Sequence, residues 1–233
     1  MELYDSTNEY IKKVISLFKN HANFQEAYYM KRYMRNKFEF YGIKVPLRRK
    51  ISAHLLKVGQ RPDYRQVDTV VKKLWQLPER ECQYFGLELL ERYKKEFTED
   101  CLTLLVYMIT HKSWWDTVDG IAKNLAGEYF VRFHIEKKDI IENWIQSGNI
   151  WLQRTTLLHQ LDYKKDTDIA LLFDLIERLK GINEFFIQKA IGWALREYSK
   201  TEPEIIEKYI EGHALSKLSA TEGMKVILRK RNA

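Results

Sequence analysis

An all-α fold is what this 233-residue chain predicts, and three observations predict it. Apolar residues recur at three- and four-residue spacing almost throughout, the period of one helix face, and sustained strand-like alternation is absent. Only four prolines and ten glycines interrupt that pattern, so few points break a helix. A register also repeats: Gln83…Tyr93, Gln153…Tyr163 and Gln188…Tyr198 keep one ten-residue separation, successive copies lying 70 and 35 residues apart. A two-helix unit of about 35 residues is characteristic of HEAT-like arrays, whose units stack and curve to leave a concave face. The expected fold class is therefore all-α, an α-solenoid of HEAT-like two-helix repeats with a concave basic groove. No Gly-, Ser- or Pro-rich linker divides the chain, so 1–233 reads as a single domain.

Taken in order, Val14-Leu17-Phe18 is a helical stripe near the start of the chain. Pro78 after Leu77 looks like a first-turn proline opening a helix that carries the stripe Leu87-Leu90. Further stripes follow at Ile121-Leu125 and at Leu171-Leu172-Leu175-Ile176-Leu179. Thr201-Glu202-Pro203-Glu204 reads as a capping box with a proline inside the first turn. Helices of about 10 to 17 residues joined by short turns are expected.

A hydrophobic content of 45% excludes a disordered chain. Lys and Arg, 39 in all, outnumber the 32 Asp and Glu, and the resulting +7 favours a polyanionic partner without proving one. Cys82 and Cys101 have no Cys or His at metal-like spacing, so two buried thiols in a reducing compartment are expected rather than zinc. Met1-Glu2-Leu3-Tyr4-Asp5-Ser6 carries neither a basic nor an apolar leader region, and no apolar run approaches membrane-spanning length. The expectation is a soluble, cytoplasmic protein with no membrane partner.

The segment Thr110-His111-Lys112-Ser113-Trp114-Trp115-Asp116-Thr117-Val118-Asp119 holds the densest chemistry. Residues four apart share a helix face, so Trp115 and Asp119 point the same way and set an aromatic plane beside a carboxylate. That pair suits a flat, positively charged target. Stepping by 35 from Tyr84 reaches Asp119, Arg154 and Lys189. Equivalent positions in a solenoid share one surface, and unpaired charge is costly in a buried seam, so this row is expected on the groove or the outer face. Near the N-terminus, Lys31-Arg32-Tyr33-Met34-Arg35-Asn36-Lys37, then Lys44 and Leu47-Arg48-Arg49-Lys50, interleave cations with rings as a nucleic-acid backbone contact does. A solvated basic helix face explains that run equally well. The tail Arg229-Lys230-Arg231 adds electrostatics at most. His21, His54, His111, His134, His159 and His213 form no i,i+3 or i,i+4 pair. No P-loop, dinucleotide fingerprint or nucleophile elbow is present.

Three blocks together resemble the AlkD-type DNA alkylation repair glycosylases: Ser113-Trp114-Trp115-Asp116-Thr117-Val118-Asp119, Ile150-Trp151-Leu152-Gln153-Arg154, and Phe185 through Tyr198. Arg32-Tyr33-Met34, Gly42-Ile43 with Pro46, and Leu77-Pro78-Glu79-Arg80-Glu81 extend the resemblance in the same order. It implies a HEAT-like array that grips duplex DNA and excises cationic N3- or N7-alkylated purines as a monomer, without cofactor or metal. It further implies that Asp119 is the catalytic carboxylate and that Trp115 and Trp193 contact the lesion. Arg154 would contact the DNA backbone and Tyr33 would lie near the DNA. Lys44 stands where the family has a neutral amide, adding positive charge. Arg48, Lys189 and Arg196 complete the expected DNA-binding set. The alternative is a non-catalytic HEAT-like nucleic-acid-binding scaffold, which gains nothing from a carboxylate among its cations.

Overall fold

The computed structural model describes residues 2–232, with side chains from residue 6 onward, and it is built of helices. Its contacts group into two compact units, residues 1–112 and 113–233. The first holds α1 (Glu2–Lys19), α2 (Phe24–Tyr33), α3 (Val45–Ser52), α4 (Tyr64–Gln76), α5 (Arg80–Glu91) and α6 (Cys101–Thr110). The second holds α7 (Trp115–Ile121), α8 (Gly127–Arg132), α9 (Lys137–Gln146), α10 (Ile150–Leu158), α11 (Ile169–Leu179), α12 (Phe185–Tyr198), α13 (Pro203–Gly212) and α14 (Lys217–Arg231). The fold is all-α, an α-solenoid. No helix of the described residues is long and apolar enough to cross a membrane.

The repeat has a physical basis in the helix starts. α5, α7, α10 and α12 open at residues 80, 115, 150 and 185, a constant step of 35. The fourth residue of three of these helices is a glutamine doing one job. The Gln83 amide donates to the carbonyls of Leu74, Trp75 and Leu77, at 3.1, 3.2 and 2.8 Å. Gln153 donates to Ile145 O at 2.9 Å, and Gln188 to Lys180 O and Ile182 O at 2.8 Å each. Each amide thus satisfies carbonyls at the frayed end of the preceding helix, which has no intrahelical donors left for them. In α7 the same position is Val118, wholly buried, which is why the glutamine copies are 70 residues apart before they are 35.

Three local expectations need correction. Pro78 is not a first-turn residue: α5 begins at Arg80, whose N–H goes to Glu39 O at 2.8 Å. That bond to a residue 41 positions earlier sets the helix start two residues later. At α13 the proline is in the first turn as expected, but the N-cap is Glu202 with no side-chain cap bond, so no capping box forms. Helices also run shorter than expected where α7 gives way to a π turn over Ala122–Ala126 before continuing as α8. A Cβ on Gly127 would lie 2.5 Å from His159 O, so α8 rests directly on the end of α10. Tyr163 Oη donates to Gly127 O at 2.6 Å across the same seam.

Cys82 and Cys101 are buried free thiols, and burial pushes both above the ordinary thiol range, Cys101 to about 12.

Candidate active site

The expected chemistry gathers in the second unit. A cleft of about 310 Å³ is lined by Trp115 and Asp119 from α7, Arg154 from α10, and Phe185, Phe186, Lys189, Trp193 and Arg196 from α12. Six of the nine expected site residues, all but Tyr33, Lys44 and Arg48, therefore meet in one place. α12 supplies its share through helical geometry: Phe185, Lys189, Trp193 and Arg196 fall on one face. Ile187, Ala190, Ile191, Ala194 and Leu195 on the other face are buried.

The two adjacent tryptophans divide the work. Trp114 is buried and packs against Trp151 and Phe186, with ring centroids 5.7 and 4.9 Å away. Trp151 and Phe186 themselves meet at 5.0 Å. This aromatic block backs the cleft wall and fixes the start of α7. Trp115 then turns into the cleft four residues ahead of Asp119.

Asp119 is held by a two-pronged guanidinium grip. Arg154 Nε donates to Oδ1 at 2.7 Å and Nη2 to Oδ2 at 2.9 Å, while Nη1 donates to Phe186 O. The Arg154 side chain is 3% exposed and that of Asp119 14%. The row reached by 35-residue steps is therefore only partly the open surface expected of it. Arg154 lies inside, because its partner sits one repeat away and offsets much of the cost of burying it. Three of its five N–H groups are engaged within the protein. Burial pushes the Asp119 carboxyl above the ordinary aspartate value; the Arg154 hydrogen bonds and charge pull it back, and Asp116 pushes it up further.

At the other wall, Lys189 and Arg196 both bond Glu222 of α14, which also takes Lys225 at 2.8 Å. Neither Glu222 nor Lys225 figures in the sequence reading. Glu222 lies 33 residues beyond Lys189 rather than 35, so the constant step passes it by.

Tyr33, Lys44 and Arg48 belong to the first unit. Tyr33 ends α2 and is 72% exposed. The Lys44 ammonium bonds Glu26 at 2.7 Å and stays largely in solvent. Arg48 differs from its expected place on a DNA-facing surface. It is buried, paired with Glu88 at 2.9 Å and lying 4.7 Å over the Tyr84 ring. Its neighbour Arg49, bonded to the same Glu88 at 2.8 Å, presents its charge outward. His111, notable in sequence for its nearness to the tryptophans, is exposed and stacks on Tyr107 at 4.2 Å.

A family model described as DNA alkylation repair enzyme matches residues 14–227. The chain belongs to the DNA alkylation repair enzyme family. A solved structure described as a predicted DNA alkylation repair enzyme from Enterococcus faecalis is similar to it, with 33% identity and a TM-score of 0.81. That similarity covers 88% of this chain and 95% of the other. No curated protein matches. The AlkD-type resemblance carried by the Trp-Trp-Asp block and the Phe185–Tyr198 block is thus borne out at the level of the repair family, and in this family member both blocks line the cleft.

Proposed function

We propose that this repair-family protein is a cytoplasmic, monomeric DNA glycosylase that hydrolyses the N-glycosidic bond of N3- or N7-alkylated purines in duplex DNA. The observation that carries the reading is a single ionisable acid, Asp119, set in one cleft with Trp115 and Trp193 and steadied by Arg154. Alkylation at N3 or N7 leaves the purine cationic, so it departs without protonation and no general acid is needed. As the bond from sugar C1′ to the base nitrogen breaks, its electron pair neutralises the base. Positive charge then builds on the sugar. Asp119 stabilises that charge and accepts the proton of the water that adds to C1′. One carboxylate replaces the usual glycosidase pair because the lesion supplies the leaving-group activation.

The indoles of Trp115 and Trp193 offer faces to a cationic base or sugar, worth about 0.5–2 kcal/mol each. That is too little for catalysis and enough to favour charged lesions over neutral bases. Lys189 and Arg196 on the α12 rim suit the flanking phosphates, and Arg154, buried behind them against Asp119, lends the wall its positive charge. Tyr33 and Lys44 are proposed as further DNA contacts from the first unit. Arg48, being buried, serves there through packing, and Arg49 carries the outward charge.

The test is release of 7-methylguanine from methylated duplex DNA by the purified protein under single-turnover conditions. Asp119→Asn is expected to lose about 10²–10⁴-fold in rate while duplex affinity stays within a few fold. Near-parental release by that variant would remove Asp119 from the chemistry.

A further inference from the structure

Glu222 is a carboxylate in an unusual position. It is 2% exposed, yet three cations from two helices converge on it: Lys189 and Arg196 of α12 and Lys225 of α14. The approach is built into the backbone. A Cβ on Gly192 would lie 2.5 Å from Glu222 Cβ and 2.9 Å from Ser219 O, so only glycine lets α14 lie this close to α12. Ser219 fixes the register from one turn away, its hydroxyl bonding Gln188 O at 2.9 Å and the Gln188 side chain at 2.8 Å.

A carboxylate so deep and of this sign does not contact DNA. Simple neutralisation does not explain it either, because one cation would suffice and burying a charge is costly. Its partners are what matter. Lys189 and Arg196 line the cleft, and the one carboxylate lining it is Asp119, with Glu222 behind them. The Lys189 ammonium is held below the ordinary lysine value by burial and then by Lys225, Arg196 and Arg154, so it feels the guanidinium that grips Asp119. Counting Arg154, Lys189, Arg196 and Lys225 against Asp119 and Glu222, this wall carries a net charge of about +2.

We propose that Glu222 is a positioning residue of the cleft: it anchors Lys189 and Arg196 to α14, so that they face a DNA phosphate and stay off the Asp119 carboxylate. Asp119 then keeps one partner, Arg154, and an open edge for water and sugar. This inference rests on the glycosylase reading for its effect on rate, but its geometry can be tested without catalysis.

The experiment compares the parent with Glu222→Gln, with Glu222→Met as a second variant lacking any oxygen acceptor, and with Glu222→Gln combined with Lys189→Met. Two readouts are taken. One is single-turnover release of 7-methylguanine at saturating protein. The other is the carboxyl ¹³C NMR titration of Asp119 in the free protein, assigned by its loss in Asp119→Asn. Expected in Glu222→Gln is a rate loss of about tenfold or more with duplex affinity undiminished, and an Asp119 titration moved to lower pH by the released ammonium. Adding Lys189→Met is expected to reverse the titration shift and recover most of the lost rate. An unmoved Asp119 titration in both single variants overturns the proposal, as does a rate loss that Lys189→Met fails to relieve. A parent that releases no base refutes the glycosylase reading, and the titration still decides the role of Glu222.

Discussion

Replacing Arg154 by Met leaves the Asp119 carboxylate in a wall that was built around a guanidinium. The structure sets the size of the effect. Arg154 is 3% and Asp119 14% exposed, and two bonds of 2.7 and 2.9 Å join them. Removing one partner of a buried pair costs about 3–5 kcal/mol, and the small opening on the Asp119 side argues for the lower end. For a chain of this length about 3 kcal/mol corresponds to a fall in Tm of roughly 6–12 °C. Asp119→Asn is expected to cost less, about 1–2 kcal/mol, because an amide oxygen still accepts from the guanidinium. The double variant strands no charge, so its loss should undershoot the sum of the singles by about 1–3 kcal/mol. Thermal unfolding followed by circular dichroism measures all four corners of the cycle. Repeating it in 0.5 M salt adds a second criterion, since a buried pair is screened far less than an exposed one. Losses that add to within about 0.5 kcal/mol, or a coupling that disappears in salt, would show that the fork is a surface contact and does not hold Asp119 in place.

The excision rate should follow ionised Asp119, falling on acidification through a pKa above that of an ordinary aspartate; Arg154→Met removes the lowering influence, so its acid limb is expected at higher pH than the parent's, and an unmoved or lowered limb counts against the assignment. His159 is fully buried, its ring bonded to Thr156 O at 2.7 Å, and burial lowers its pKa to about 3. The unfolded chain therefore binds the proton more tightly, and stability is lost as pH falls below the unfolded value of about 6.5. Between pH 7 and 5 this amounts to about 2 kcal/mol, which His159→Asn should remove from the pH dependence of Tm; identical slopes would refute it. Arg48→Met should destabilise by about 2 kcal/mol and Arg49→Ala by under about 1 kcal/mol, although the two are neighbours on α3 and share Glu88; equal losses in urea unfolding would contradict the burial difference.

What is legible in the sequence is what is periodic or local. The 35-residue register, the shared face of Trp115 and Asp119, and the α12 face carrying Lys189, Trp193 and Arg196 follow from helix geometry alone. The inward turn of Arg154 is not legible, because whether a charge can be buried depends on a partner one repeat away, and the general expectation of exposed charge gives the opposite answer. The same holds for Arg48 and Arg49. Adjacent helical residues point about 100° apart, and only the placement of Glu88 and Tyr84 on α5 decides which guanidinium goes inside. The start of α5 depends likewise on the Arg80 N–H finding Glu39 O, a contact across 41 residues that no local propensity encodes.

The array separates structure from chemistry by one residue. At the fourth position of α5, α10 and α12 a glutamine closes the carbonyls of the preceding helix, the same work three times over. The fifth position faces away from that seam, and there the residues diverge: Tyr84, Asp119, Arg154 and Lys189. Where the fourth position already satisfies the backbone, the fifth can change without loss of the repeat, provided a nearby residue compensates its charge. Asp119 meets that condition through Arg154, and Lys189 meets it through Glu222. From Asp119 on, the row reads carboxylate, guanidinium, ammonium, with Glu222 of α14 beside the last of them and off the 35-residue step. A surface serving only to attract phosphates would carry cations alone. The acid at Asp119 is the feature that a polyanion scaffold leaves without a use, and it is the reason to look for a reaction there.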